Sequence, residues 1–158
     1  MSTAVGGTVL RQSGPAEVRL IDAMMREGFE PRYGEAWTQN QCLGILSLPG
    51  VWLTVAEQAG EPAGFALARI AADEAELLLI AVRPVMRRRG VGAALLRGIV
   101  ADCRDRKARV LHLEVRAGNG AIALYERHGF RKVGVRRDYY RGTTGEVFDA
   151  HSFSLDLA

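Results

Sequence analysis

The stretch Ile80-Ala81-Val82-Arg83-Pro84-Val85-Met86-Arg87-Arg88-Arg89-Gly90-Val91-Gly92-Ala93-Ala94-Leu95-Leu96 decides how the rest of the chain is read. Upstream of it, Glu76 to Val82 is nearly all apolar, the mark of a strand covered on both faces. Pro84 ends that strand, because proline lacks the N–H a ladder needs. Downstream, Leu95, Leu96, Ile99, Val100 and Cys103 recur near the helical period, which predicts a helix over Gly90 to Lys107. The first turn of such a helix carries unpaired N–H groups and the positive end of the helix dipole. Gly90 and Gly92 remove the Cβ atoms that would hold a ligand away from that backbone. Arg87, Arg88 and Arg89 add charge at the rim. Together these residues predict an anion site of the diphosphate type. The plain alternative is a solvated arginine face, which accounts for neither the glycine spacing nor the strand before it.

Neither common nucleotide pattern fits. A Walker A loop needs Gly-Lys-Ser/Thr, and no lysine stands there. The dinucleotide fingerprint needs a third glycine where this chain has Leu95. A nucleic-acid patch is also a poor match, since no aromatic residues interleave with the arginines to stack bases.

Working outward, Thr8 to Gln12 reads as a short strand, with residues 1–7 expected to be loose. Val18, Ile21 and Met25 mark a helix that Gly28 ends. Residues 34–47 are a second helical candidate, stopped by Leu48-Pro49-Gly50. Val51–Ala56, Ala63–Ile70 and Glu76–Val82 then form a meander. After the middle helix come a strand over Val110–Val115 and a helix capped by Asn119 and ended by Gly129. Strands over Phe130–Val135 and Glu146–Leu157 finish the chain, joined by a loop from Arg136 to Gly145. The expected fold class is α/β (α+β), a mixed and largely antiparallel sheet flanked by helices, with one parallel crossover. One domain over 1–158 is expected at this length.

The bulk properties restrict the function classes. The net charge of +3 permits an anionic ligand but is well below that of a dedicated nucleic-acid binder. Cys42 and Cys103 are far apart and lack metal-site spacing, so they read as small buried groups in a reducing compartment, with no metal expected. The N-terminus lacks the features of a signal peptide, and no apolar run approaches a membrane span. A cytoplasmic protein is the default expectation.

The pattern Arg87-x-x-Gly90-x-Gly92, preceded by Val82-Arg83-Pro84, resembles the acetyl-CoA motif of the GNAT (Gcn5-related) N-acetyltransferase family. Leu113-Glu114-Val115-Arg116, Asn119, and the run Ala121 to Phe130 resemble the RimI branch of that family, as does Arg136-Arg137-Asp138-Tyr139-Tyr140. That branch acetylates the N-terminal α-amine of a small-subunit ribosomal protein. The resemblance covers roughly residues 50–158. It implies acetyl-CoA as cosubstrate and a strand pair that splays to receive it. Ile80, Ala81 and Val82 would line the acetyl-pantetheine arm. Arg87, Arg88, Arg89, Gly90, Val91, Gly92 and Ala93 would hold the diphosphate. Asn119 would contact the cofactor, although its spacing to Tyr125 is one residue shorter than the family's.

Acetyl transfer to an amine needs a base for the ammonium, a donor for the developing oxyanion and an acid for the departing thiolate. The resemblance assigns Glu114 as base, directly or through water, and Tyr125 as acid. A backbone N–H near Val82 is the oxyanion candidate. Tyr139 and Tyr140 stand where a loop would cover the acceptor. Trp37 and Trp52 read as core or groove wall, and His112, His128 and His151 do not cluster. The expected acceptor is a protein N-terminus, with a small-molecule amine or a lysine side chain as the alternative within the family. A non-catalytic acyl-CoA sensor is the alternative outside catalysis. No nucleic-acid or membrane partner is expected, and the chain is read as a monomer or homodimer.

Overall fold

The computed structural model describes the backbone of residues 2–5 and the whole of residues 7–158. Among the described residues, eight strands form one sheet: β1 (Ser2–Val5), β2 (Thr8–Ser13), β3 (Val51–Gln58), β4 (Glu61–Ala71), β5 (Glu74–Val82), β6 (Val110–Arg116), β7 (Arg131–Arg141) and β8 (Val147–Asp156). Their order is β1-β2-β3-β4-β5-β6-β8-β7, and only β5 and β6 run parallel. Four α-helices among the described residues, α1 (Val18–Gly28), α2 (Gln39–Leu46), α3 (Val91–Asp105) and α4 (Ala121–Arg127), flank it. None of the described helices is long and apolar enough to cross a membrane.

Two cores lie on opposite sides of the sheet. Leu95, Leu96, Ile99 and Cys103 of α3 pack on Leu111, Leu113 and Phe153. Ile21, Met24 and Met25 of α1, with Cys42 of α2, pack on Leu53, Val55, Phe65 and Leu67. Both cysteines are buried, and burial pushes each thiol up to about 11, so both are small apolar fillers.

The feature that positions the site is in β5. Its register on β4 slips so that Leu67 pairs with Leu79 and Ala68 with Leu77, which leaves Leu78 as a bulge. The bulge reverses which residues face which core. Ala75 and Leu77 face α3, whereas beyond it Ile80 and Val82 do. Leu79 and Ala81 turn to the α1 side. Parallel pairing of β5 with β6 runs only from Glu74/Val110 to Leu77/Leu113 and stops at the bulge. Past that point β5 follows β4, β6 follows β8, and the two strands part.

Four boundaries differ from the sequence expectation. Ser2–Val5 are not loose: they pair in register with Thr8–Arg11 across a tight turn at Gly7, giving β2 a neighbour on its outer side. Met1 and Gly6 lie outside the described residues. The second helix begins at Gln39, five residues after position 34. Pro31–Tyr33 form a 3-10 turn closed by left-handed Gly34, and Thr38 with Gln41 makes a reciprocal capping box that starts α2. The expected loop Arg136–Gly145 is strand as far as Arg141. A bulge between Arg136 and Tyr140 bends β7 instead of ending it, with left-handed Asp138 donating its N–H to Asp149 Oδ1 at 2.9 Å. Finally, α4 begins at Ala121 with Gly120, not Asn119, at its N-cap position, while Asn119 stands one residue earlier and accepts the Ala121 N–H at 2.8 Å.

Candidate active site

The parting of β5 and β6 opens a cleft of about 690 Å³. Its floor is the turn into α3. Gly90 adopts φ +78°, and the first helical bond runs from Ala94 N–H to the Gly90 carbonyl at 3.0 Å. The N–H groups of Val91, Gly92 and Ala93 therefore have no partner within the helix, and all three residues line the cleft. Arg87 and Arg88 line it too. Arg87 also donates to the Gly28 carbonyl at the end of α1, at 3.0 Å. Arg89 lies outside the lining and is exposed; its carbonyl accepts from Gln58 Nε2 at 3.2 Å.

Ile80, Ala81 and Val82 form the β5 wall. Arg83 N–H donates to the Ala63 carbonyl on β4 at 2.8 Å. By the alternation of an antiparallel ladder, the N–H groups of Val82 and Ile80 then face away from β4, into the splay. The expected oxyanion donor is thus an unpaired N–H on the open side of the strand.

On β6, Leu111, Leu113 and Val115 face α3, so His112, Glu114 and Arg116 face the opposite side. Both Glu114 oxygens are held: Oε1 accepts from Arg136 Nε at 3.0 Å and Oε2 from Ser152 Oγ at 2.6 Å. Tyr140 O–H donates to the Glu114 carbonyl at 3.4 Å. Glu76 enters the cleft from β5 on the same face. It makes no ion pair or side-chain hydrogen bond among the described residues. Partial burial, and then the charge of Glu114, hold its carboxyl above the usual carboxylate range. His112 shares Ser154 at 2.7 Å and Glu74 at 3.3 Å and does not line the cleft.

Tyr125 enters from α4, 4 % exposed, with its ring edge-on to Phe130 at 5.9 Å. Burial, and then the charge of Glu35, push its phenol far above the ordinary tyrosine range. The same two causes, in the same order, act on Tyr140. Both phenols therefore remain protonated donors at neutral pH.

The far side of the cleft is closed by the segment between α1 and α2. Phe29, Tyr33, Glu35 and Trp37 line the cleft from there, facing Tyr139 and Tyr140 of β7. Glu35 accepts from Arg116 Nε at 3.1 Å and from Asn119 Nδ2 at 2.9 Å. Asn119 lines the cleft, but its amide is thus committed at both ends. Sequence reasoning missed Glu35, Glu76 and Ser152. A usable signal existed for Ser152, since Ser152 and Ser154 alternate with Phe153 and Leu155 and mark a polar face beside Glu114. Trp52 is core, its ring Nε1 donating to Asp102 at 3.2 Å.

The model of the Acetyltransferase (GNAT) family matches residues 18–130, spanning both the turn into α3 and α4. The chain belongs to this family. It is an acetyl-CoA-dependent N-acetyltransferase, with the mixed, mostly antiparallel GNAT sheet and its splayed parallel pair. Among its relatives, the [ribosomal protein bS18]-alanine N-acetyltransferase of Escherichia coli K12 is 46% identical over 102 residues, covering 64% of this chain and 68% of that one. The crystal structure of the ribosomal-protein-S18-alanine N-acetyltransferase from Escherichia coli superposes with a TM-score of 0.84 at 30% identity, covering 96% and 94% of the two chains. N-alpha-acetyltransferase RimI of Mycobacterium tuberculosis is 38% identical over 91 residues, covering 57% of this chain and 56% of the relative. Arabidopsis thaliana NAA60, solved in complex with acetyl-CoA, shares the GNAT fold at a TM-score of 0.80 and 21% identity, with 95% and 98% coverage.

Proposed function

We propose that this GNAT enzyme transfers acetyl from acetyl-CoA to the N-terminal α-amine of a protein, with an N-terminal alanine of bS18 type as the acceptor. The single observation that carries this reading is that Glu114 and Tyr125 line one cleft whose floor is a bare helix N-terminus. The similarity to the bS18-alanine enzyme supports the choice of acceptor. A ribosomal acceptor would place the reaction in the cytoplasm.

The residues present suit acetyl-CoA. The free N–H groups of Val91, Gly92 and Ala93, with Arg87 and Arg88 beside them, suit a diphosphate. The unpaired backbone of Ile80 and Val82 suits the amides of pantetheine. Asn119 serves this half of the site by starting α4.

In the reaction, Glu114 accepts the proton of the incoming ammonium, directly or through one water. Its orientation is set in advance by Arg136 and Ser152. The Val82 N–H faces the acetyl carbonyl oxygen as negative charge develops on it. The amine nitrogen bonds to the acetyl carbon, the carbon–sulfur bond breaks as Tyr125 donates its phenolic proton to the departing sulfur, and the second proton lost by the attacking nitrogen returns the phenol to its neutral form.

The acceptor's own acidity favours an α-amine. An α-ammonium has a pKa of about 8 and lysine about 10.4, so at neutral pH the α-amine is roughly two-hundredfold richer in the nucleophilic form. A carboxylate that shares its charge with Arg136 is adequate for the first and poor for the second.

Tyr125→Phe tests the assignment. We predict that kcat falls at least tenfold while acetyl-CoA affinity stays near normal. Unchanged turnover would remove Tyr125 as the acid.

A further inference from the structure

Glu35 lies in the segment between α1 and α2, far in sequence from both halves of the site, yet it is among the least exposed carboxylates of the cleft. Its side chain is 9% exposed and that of its partner Arg116 is 13%. One oxygen takes Arg116 Nε and the other takes Asn119 Nδ2. Each partner is itself anchored. The Arg116 guanidinium stacks 3.6 Å from the centre of the Tyr33 ring and donates to the Ala117 carbonyl at 3.3 Å. Asn119 Oδ1 accepts the N–H of Ala121, the first residue of α4. Ala121 lies one helical turn before Tyr125, on the same face of α4.

The segment itself is anchored to the β7–β8 hairpin. Thr143 N–H donates to the Pro31 carbonyl at 3.2 Å, and Tyr33 meets the Phe148 ring edge-on at 5.2 Å. Gly34 and Gly142 face the Arg141 and Arg32 carbonyls so closely that neither position has room for a Cβ. The acceptor-side wall and the start of α4 are therefore two rigid pieces, joined through one carboxylate.

We propose that Glu35 is a positioning residue for acetyl transfer: through Asn119 it sets where α4 begins, and so where the Tyr125 hydroxyl stands relative to the acceptor wall. The assignment rests on Tyr125 being the acid. The charge of Glu35 acts in the same sense, adding to burial, the larger cause, in raising the Tyr125 phenol.

Asn119→Asp isolates the link. The aspartate keeps an oxygen for the Ala121 N–H, and in place of the amide that donates to Glu35 it sets a second carboxylate that repels it, without leaving Arg116 unpaired in the interior. The experiment measures kcat, acceptor KM and acetyl-CoA affinity for Asn119→Asp, for Tyr125→Phe and for the double variant, with an N-terminal alanine peptide as acceptor. The expected result is a roughly tenfold fall in kcat for Asn119→Asp, with acetyl-CoA affinity within about twofold of the parent. In the Tyr125→Phe background the same change should cost less than about twofold, because a link that acts through a missing hydroxyl has nothing left to place. A full tenfold loss in both backgrounds would overturn the proposal, since the link would then not act through Tyr125. Unchanged kcat for the single variant would overturn it as well. A parallel fall in acetyl-CoA affinity would assign Asn119 to the cofactor and also overturn it. Unchanged turnover for Tyr125→Phe alone would instead remove the acid assignment on which the link rests, an outcome visible by itself. Glu35→Gln provides a second arm. It keeps one accepting oxygen and should retain more kcat than Glu35→Ala; equal losses would count against the link.

Discussion

Ser152 Oγ donates to Glu114 Oε2 at 2.6 Å from the position directly opposite it on the β6–β8 ladder. The Glu114 carboxylate is thus aimed by a short side chain on the neighbouring strand β8, while its other oxygen is held by the largely exposed Arg136. A hydrogen bond to a charged group contributes about 1.5–3 kcal/mol, and each 1.4 kcal/mol is a factor of ten. Ser152→Ala should therefore lower kcat roughly tenfold and leave acetyl-CoA affinity unchanged. Calorimetric titration beside steady-state kinetics checks this. Full activity in the alanine variant would mean that Glu114 needs no such aim.

Arg88 holds φ +63°, a left-handed conformation that disfavours any residue with a Cβ. The penalty is about 1–2 kcal/mol, and glycine gives back about 0.5–1 kcal/mol through its freer unfolded chain. Arg88→Gly should stabilise the protein by about 0.5–1 kcal/mol in urea unfolding. It should also weaken acetyl-CoA binding a few-fold, more strongly at low salt. Loss of stability would show that the arginine side chain makes an unrecognised contact.

Glu76 offers a test by pH. Burial first, and then Glu114, raise its carboxyl above the usual range, so the folded protein holds this proton more tightly than the unfolded chain. Stability then falls as pH rises from the ordinary carboxylate value through the raised one. Glu76→Gln removes that loss. Its Tm should exceed the parent's at pH 7, and the gap should close towards pH 4. A gap that stays constant with pH would refute the assignment.

Gly142 has no room for a Cβ because the Arg32 carbonyl faces it. Gly142→Ala must push the β7–β8 hairpin off the segment between α1 and α2. Overpacking of this kind costs about 1–3 kcal/mol. The acceptor KM should rise several-fold while acetyl-CoA affinity holds, because only the acceptor wall is disturbed. Equal loss of both affinities would show that the two halves of the cleft are not separable.

The strand–turn–helix half of the cleft was legible in the sequence because it is local. Strand, turn and helix follow one another within Ile80 to Leu96, and each has its own signal. The half built by the segment between α1 and α2 was not legible. Glu35 meets Asn119 across 84 residues, and its neighbours Pro31 and Gly34 break the helical period that would have drawn attention to it. The bend in β7 was hidden for a related reason. Arg136 to Arg141 is polar and exposed, so no apolar alternation distinguishes it from a loop, and only its partner β8 makes it a strand. The splay was expected through family resemblance. Its physical cause, the bulge at Leu78, leaves no mark in an unbroken apolar run.

The most direct test of the whole account uses one peptide with two amines: a free N-terminal alanine and an internal lysine. After incubation with the enzyme and acetyl-CoA, fragment-ion mass spectrometry locates the added acetyl group. Acetylation of the alanine α-amine, with the lysine unmodified, is the predicted result. An acetylated lysine beside a free N-terminus, or a wholly unmodified peptide from an enzyme that acetylates polyamines, would contradict it.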